Sequence, residues 1–163
     1  MVTSEDAATF HKLQMERRRN GKAVAVKELL DKGFAVRDLA KMLTASVFEI
    51  RSWSRGDGGW LTDAMKVAHL LATVDMLERY GKDDPAGWFE TPVAEGFAVT
   101  PMDLYPEDMP LLLELASGQA TAEKVLDIRD PGWRRRGPSP WEVFEASDGE
   151  LAVGLREPAG ESM

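Results

Sequence analysis

Apolar residues recur along most of this chain at steps of three and four, the spacing of helices that bury one face. Thr3 followed by Asp6 has the form of a capping signature. The polar stretch from there to about Arg19 is expected as a peripheral helix or a partly frayed arm. Val24, Val26, Leu29 and Leu30 predict a second helix, ended by Gly33. Two short apolar patterns follow: Leu39 with Leu43, and Val47, Ile50 and Trp53. The longest period runs from Leu61 to Tyr80, with Ala64, Val67, Ala68, Leu71, Val74 and Leu77 on one stripe and Gly81 as its stop. Such a stripe reads as core or as a dimer seam.

Beyond Gly81 the periods shorten. Asp84-Pro85 is a cap and first-turn pair for a helix carrying Trp88 and Phe89, which Pro92 ends. Thr100-Pro101 starts a short turn holding Met102 and Leu104. Leu111, Leu112, Leu113 and Leu115 predict a buried helix closed by Gly118, and Thr121 caps a segment with Val125, Leu126 and Ile128. Gly137-Pro138-Ser139-Pro140 has linker composition. Past it, Trp141 to Ala146 and Leu151 to Leu155 flank Ser147-Asp148-Gly149-Glu150, and Asp-Gly between apolar runs signals a hairpin. Ser139-Pro140-Trp141-Glu142 also has the form of a helix start; the hairpin is preferred because Val153 and Leu155 suit a strand.

The segment from Gly33 to Gly56 is the most informative. Its two short helices and tight turn have the outline of a helix-turn-helix. Ala40 supplies the small residue between the helices, Thr44 the turn, and Ile50 the apolar pin, while Leu39, Leu43 and Trp53 complete the shared core. Thr44 stands where a glycine is usual, so the turn is expected to be of another type or strained. Ser46 is the expected N-cap of the second helix, and Gly56 its stop. With Val47, Ile50 and Trp53 facing inward, Ser46, Phe48, Glu49, Arg51, Ser52 and Arg55 face out. These residue types suit a major groove: arginine pairs with guanine, serine with a base edge or phosphate, and Phe48 with a thymine methyl. The alternative is a helical hairpin that serves only as core.

Charge separates the two ends of the chain. Of 163 residues, 20 are basic and 28 acidic, for a net charge of −8. Residues 1–60 nonetheless carry 11 basic against 8 acidic side chains, and residues 61–163 carry 9 against 20. A module facing a polyanion needs local positive charge whatever the total, so the N-terminal part is the one expected to meet nucleic acid. Arg17, Arg18 and Arg19 either touch the DNA backbone beside the motif or form the solvated end of the first helix, where cations suit the helix dipole.

Other chemistries have little to work with. There is no cysteine, which excludes disulfides, thiolate metal sites and thiol nucleophiles. His11 and His69 are the only histidines, and Ala72 and Thr73 stand where His69 would need a partner on its helix face. The carboxylates of Asp83-Asp84, Glu107-Asp108, Asp127 and Asp130 each flank a predicted helix end, where a solvated cap is the commoner explanation. Gly56-Asp57-Gly58-Gly59 follows a helix, unlike a phosphate-binding loop, and is expected to be a hinge. No enzymatic activity, cofactor or metal is expected. No run approaches a signal peptide or a membrane span, so a cytoplasmic protein is expected.

Over roughly residues 35–128 the order of signals resembles the Xre/MbcA/ParS antitoxin family. The resemblance is carried by Ile50-Arg51-Ser52-Trp53-Ser54-Arg55-Gly56, the helix with Leu71, Val74 and Leu77, then Trp88-Phe89 with Pro92, then Thr100-Pro101-Met102-Asp103-Leu104. It implies a DNA-binding N-terminal part and a helical toxin-binding C-terminal part. The implied partner is a RES-domain toxin that destroys NAD, held inactive in a complex that represses its own promoter. The segment from Pro106 to about Ala116 is inserted relative to the family, and the tail from about Pro131 lies beyond its usual end.

The expectation is therefore a mainly α protein. A helix-turn-helix domain spans residues 1–59, a helical toxin-binding or dimerisation domain 60–130, and a C-terminal extension with a short hairpin 131–163. Expected partners are double-stranded DNA, a cognate toxin bound somewhere within 61–163, and a second copy of the chain. A stand-alone regulator is the alternative function, and an adaptor that no longer reads DNA is a third.

Overall fold

The computed structural model describes residues 3–156. Nine α-helices and one two-stranded antiparallel sheet are present among them, so the protein is mainly helical with a small C-terminal hairpin. No helix in the described residues is long and apolar enough to cross a membrane.

The first four helices are α1 (Ser4–Arg19), α2 (Lys22–Asp31), α3 (Val36–Met42) and α4 (Val47–Ser54). α1 starts on the anticipated capping box, in which the Thr3 hydroxyl accepts from the Asp6 N–H at 3.1 Å and the Asp6 carboxylate accepts from the Thr3 N–H at 3.1 Å. It has no fully buried residue, which fits a peripheral helix rather than a frayed arm. In α2 the buried side chains are Ala25, Val26 and Leu29, whereas Val24, expected inside, is 56% exposed. α4 packs on α2 and α3, and Leu29, Leu39, Leu43, Ile50 and Trp53 close the core between them.

Helix α5 (Leu61–Arg79) is the centre of the first compact unit, which comprises, of the described residues, 3–91 and 100–121. α1 and α2 pack on it from the N-terminal side of the sequence. α6 (Pro85–Glu90) and α7 (Met109–Ala116) pack on it from the other, and both touch a 3₁₀ turn at Pro101–Leu104. Every residue from Leu70 to Leu77 is buried, so this helix is a core helix rather than an amphipathic stripe. Its two polar members are satisfied: the Thr73 hydroxyl donates to the His69 carbonyl at 2.8 Å, and Asp75 receives Arg17. The expected boundary between residues 59 and 60 therefore separates nothing, because α5 supplies the surface on which α1 and α2 fold. Gly56–Gly59 is not an interdomain hinge either: the Lys22 ammonium donates to the Gly58 carbonyl and lies 5.0 Å from the Trp53 ring centroid. Of the two readings of the α5 stripe, core or dimer seam, the stretch Leu70–Leu77 is core, and Leu111, Leu112 and Leu113 are buried as expected.

The second unit comprises, of the described residues, 92–99 and 122–156. It contains α8 (Ala122–Arg129), α9 (Trp133–Arg136), β1 (Trp141–Glu145) and β2 (Leu151–Leu155). α8 buries Val125 and Leu126 but leaves Ile128 51% exposed. The short α9 was not anticipated. It is fixed by the Trp133 indole N–H donating to Asp127 at 2.8 Å and by an edge-on contact of Trp133 with Phe97 at 5.5 Å between ring centroids. The linker-like residues 137–140 are anchored, with the Ser139 N–H donating to the Gly96 carbonyl at 2.7 Å. The hairpin forms as preferred: Gly149 N–H donates to the Ala146 carbonyl at 2.9 Å and Ala146 N–H to the Glu150 carbonyl at 2.8 Å, with Gly149 at φ 82. That is a three-residue loop with glycine at its left-handed position.

Candidate nucleic-acid interface

The turn between α3 and α4 is built by a helix end. α2, α4, α5 and α7 each close with a glycine at positive φ, followed by the paired hydrogen bonds of a Schellman cap. α3 closes in the same way on Thr44, at φ 52. The Thr44 N–H donates to the Lys41 carbonyl at 3.3 Å, and the Ala45 N–H donates to the Ala40 carbonyl at 2.9 Å. Thr44 is the non-glycine residue at positive φ among the described residues, so the expected strain in this turn is present.

The second helix begins at once. The Ser46 hydroxyl accepts from the Glu49 N–H at 3.0 Å, and the Glu49 carboxylate accepts from the Ser46 N–H at 2.7 Å. Ser46 and Glu49, both among the candidate base readers, thus occupy one another as a capping box. Val47, expected inside, is 38% exposed because it sits in the first turn at the rim, and the helix is pinned by Ile50 and Trp53 alone. Phe48 is 73% exposed, and Arg51 is exposed. Ser52 is half-buried and accepts from Arg55 at 3.5 Å, and Arg55 lies 3.6 Å from Asp57. Phe48, Arg51 and Arg55 therefore make the open face of α4: one apolar surface and two guanidinium groups, the chemistry that reads a thymine methyl and guanine edges.

The arginine run divides. Arg17 does not point to solvent: its guanidinium donates to both oxygens of Asp75, at 2.8 and 2.6 Å, and to Glu28 at 2.7 Å. Joining α1 to α5 and α2, it is committed to the fold and unavailable to a phosphate. Arg18 and Arg19 are exposed. Arg37 in the first turn of α3, not among the sequence candidates, has a side chain that is 87% exposed. Its signal was position, since the first helix of such a motif lies across the backbone. Lys41 is also exposed and faces Asp103 at 3.8 Å.

A cavity of about 290 Å³ lies beside the turn, lined by Met42, Leu43, Thr44, Lys66, His69 and Tyr105 among others. His69 Nδ1 is 2.9 Å from the Tyr105 hydroxyl, and Phe10 stands edge-on to the imidazole at 5.1 Å. Burial holds the imidazole below its ordinary value and pushes the Tyr105 phenol up. These groups brace α5 beneath the turn.

Comparison with protein-family models, with curated proteins and with solved structures gives no match to this chain.

Proposed function

We propose that this chain is a helix-turn-helix DNA-binding protein of the antitoxin type, which represses its own promoter. The observation that supports this reading best is α4: a helix with a defined cap and stop, held on Ile50 and Trp53, that leaves Phe48, Arg51 and Arg55 open. Arg37, Arg18 and Arg19 supply cations for phosphate contacts. The antitoxin part of the proposal, with a RES-domain toxin that destroys NAD as the partner, rests on the resemblance over residues 35–128. The protein would act in the cytoplasm as a homodimer and perform no catalysis itself.

A stand-alone regulator is the second reading. It is favoured by the burial of α5 and of Leu111–Leu113 in the same compact unit as the helix-turn-helix, which leaves no separate helical domain at 60–130 for a toxin. Two measurements on the full chain separate the readings. Fluorescence anisotropy should show tighter binding to a duplex from its own upstream region than to a shuffled duplex of equal length; equal binding would remove the promoter role. Co-expression with the neighbouring open reading frame should yield a stable complex and relieve toxicity. No complex would leave the stand-alone regulator.

A further inference from the structure

The β1–β2 hairpin is two-sided, and its sides differ. Trp141 pairs with Leu155, Val143 with Val153 and Glu145 with Leu151, and alternation along the strands places these six side chains on one face. Five of them are apolar and all five are open: Leu151 is 79% exposed, Val153 66%, Val143 and Leu155 65%, and Trp141 56%. On the opposite face Glu142, Ala152 and Gly154 are half-buried, and Phe144 is 46% exposed. A hairpin of two strands is marginal in water without a cover, and apolar patches of this size mark interfaces.

We propose that this face is the dimer interface, covered by the same face of a second copy. The proposal deepens the homodimer part of the function above by moving it from α5 to the hairpin. Three features select a second copy as the occupant. First, the open apolar area is on the order of 600 Å² per copy, and twice that clears the ~1,000 Å² total a specific interface requires. Second, the face is self-complementary, with a central valine pair flanked by larger side chains on both sides. Third, the carboxylates of Glu145, Asp148 and Glu150 gather at the turn end, whereas Arg156 at the open end is half-buried and paired with Glu95 at 3.2 Å. Two hairpins stacked with their strands antiparallel, about a two-fold axis crossing the strands at the Val143–Val153 pair, keep the two acidic turns apart. Each turn then lies over the partner's open end. Sheets packed face to face sit ~10 Å apart and accommodate this arrangement with a crossing of about 30°.

Light scattering of the full chain at roughly 10 μM, above the micromolar dissociation constants of modest interfaces, tests the proposal. The wild type should be a dimer. The double variant Val143→Lys with Val153→Lys should be a monomer with unchanged circular dichroism, because both positions face solvent in the single chain. The absence of cysteine gives a second, independent measurement. Val143→Cys should be joined into a covalent dimer by a short bis-maleimide linker, whose reach suits sheets ~10 Å apart, and Lys27→Cys, exposed on α2, should not. A monomeric wild type, a dimer that survives the lysine variant, or equal cross-linking at both cysteines would overturn the proposal. If the wild type is monomeric yet binds its upstream duplex, the interface fails and the DNA reading stands. If it dimerises through Val143 and binds no duplex, the reverse holds.

Discussion

Arg17 and Arg51 look alike in sequence, both being arginines on polar helical segments, yet their surroundings assign them opposite work. Arg17 holds Asp75, a carboxylate on a core helix, together with Glu28. Arg17→Ala strands both charges and should cost about 3 kcal/mol in urea denaturation, whereas Arg18→Ala and Arg19→Ala should stay within about 0.5 kcal/mol of wild type. Arg17→Lys should recover only part of the loss, because an ammonium cannot match the fork of the guanidinium. Thr44 presents the opposite case. It is exposed and held at φ 52, so Thr44→Gly removes backbone strain without removing packing. It should stabilise by up to about 1 kcal/mol, the left-handed penalty outweighing the added freedom of the unfolded chain. An unchanged or lower urea midpoint would contradict the strain. Ser46→Ala, which removes the cap of α4, should cost about 1 kcal/mol.

Elements were legible in the sequence where their signals are local. Thr3 with Asp6, Ser46, Asp84-Pro85 and Thr100 mark helix starts because each cap bonds within three residues. The glycines at 33, 56, 81 and 118 mark ends because only they reach positive φ without cost. What was not legible depends on distant partners. Asp75 lies 58 residues from Arg17, so no local pattern ties the first helix to α5. Val24 and Val47 keep the helical period but sit at rims, where periodicity does not ensure burial. The four residues of α9 are too few to show a period. In the candidate interface, the outward side of α4 was readable, but the mutual engagement of Ser46 and Glu49 was readable only as half of itself, the serine cap. α5 also carries a pH dependence. Because burial keeps His69 below its ordinary value of 6.5, protons bind the unfolded chain first. This contribution is fully present above pH 6.5 and is lost progressively as the pH falls below it, toward the lowered folded value. Thermal melts should show a decline there that His69→Gln flattens, and identical profiles would contradict a buried neutral imidazole.

At the scale of the whole molecule, the expected split into a DNA half and a partner half is replaced by units that interleave along the chain. Because α1 and α2 pack on α5, a fragment beginning at residue 60 exposes the faces that they cover. Such a fragment should lose cooperative unfolding in a urea titration followed by circular dichroism; a sharp transition would restore the boundary at 59/60. The acidic surplus of residues 61–163 keeps the chain's net charge negative, so the proposed DNA binding would depend on the local cations of α1, α3 and α4 and should fall steeply with salt. The central claim is that the open face of α4 reads base pairs, and Arg51→Ala tests it most directly. Anisotropy titrations of the full chain should show a loss of about 1 to 3 kcal/mol on its own upstream duplex, with little change on a shuffled duplex, so that specificity and not general affinity is reduced. If Arg51→Ala binds the upstream duplex as tightly as the wild type, α4 is not the reading helix.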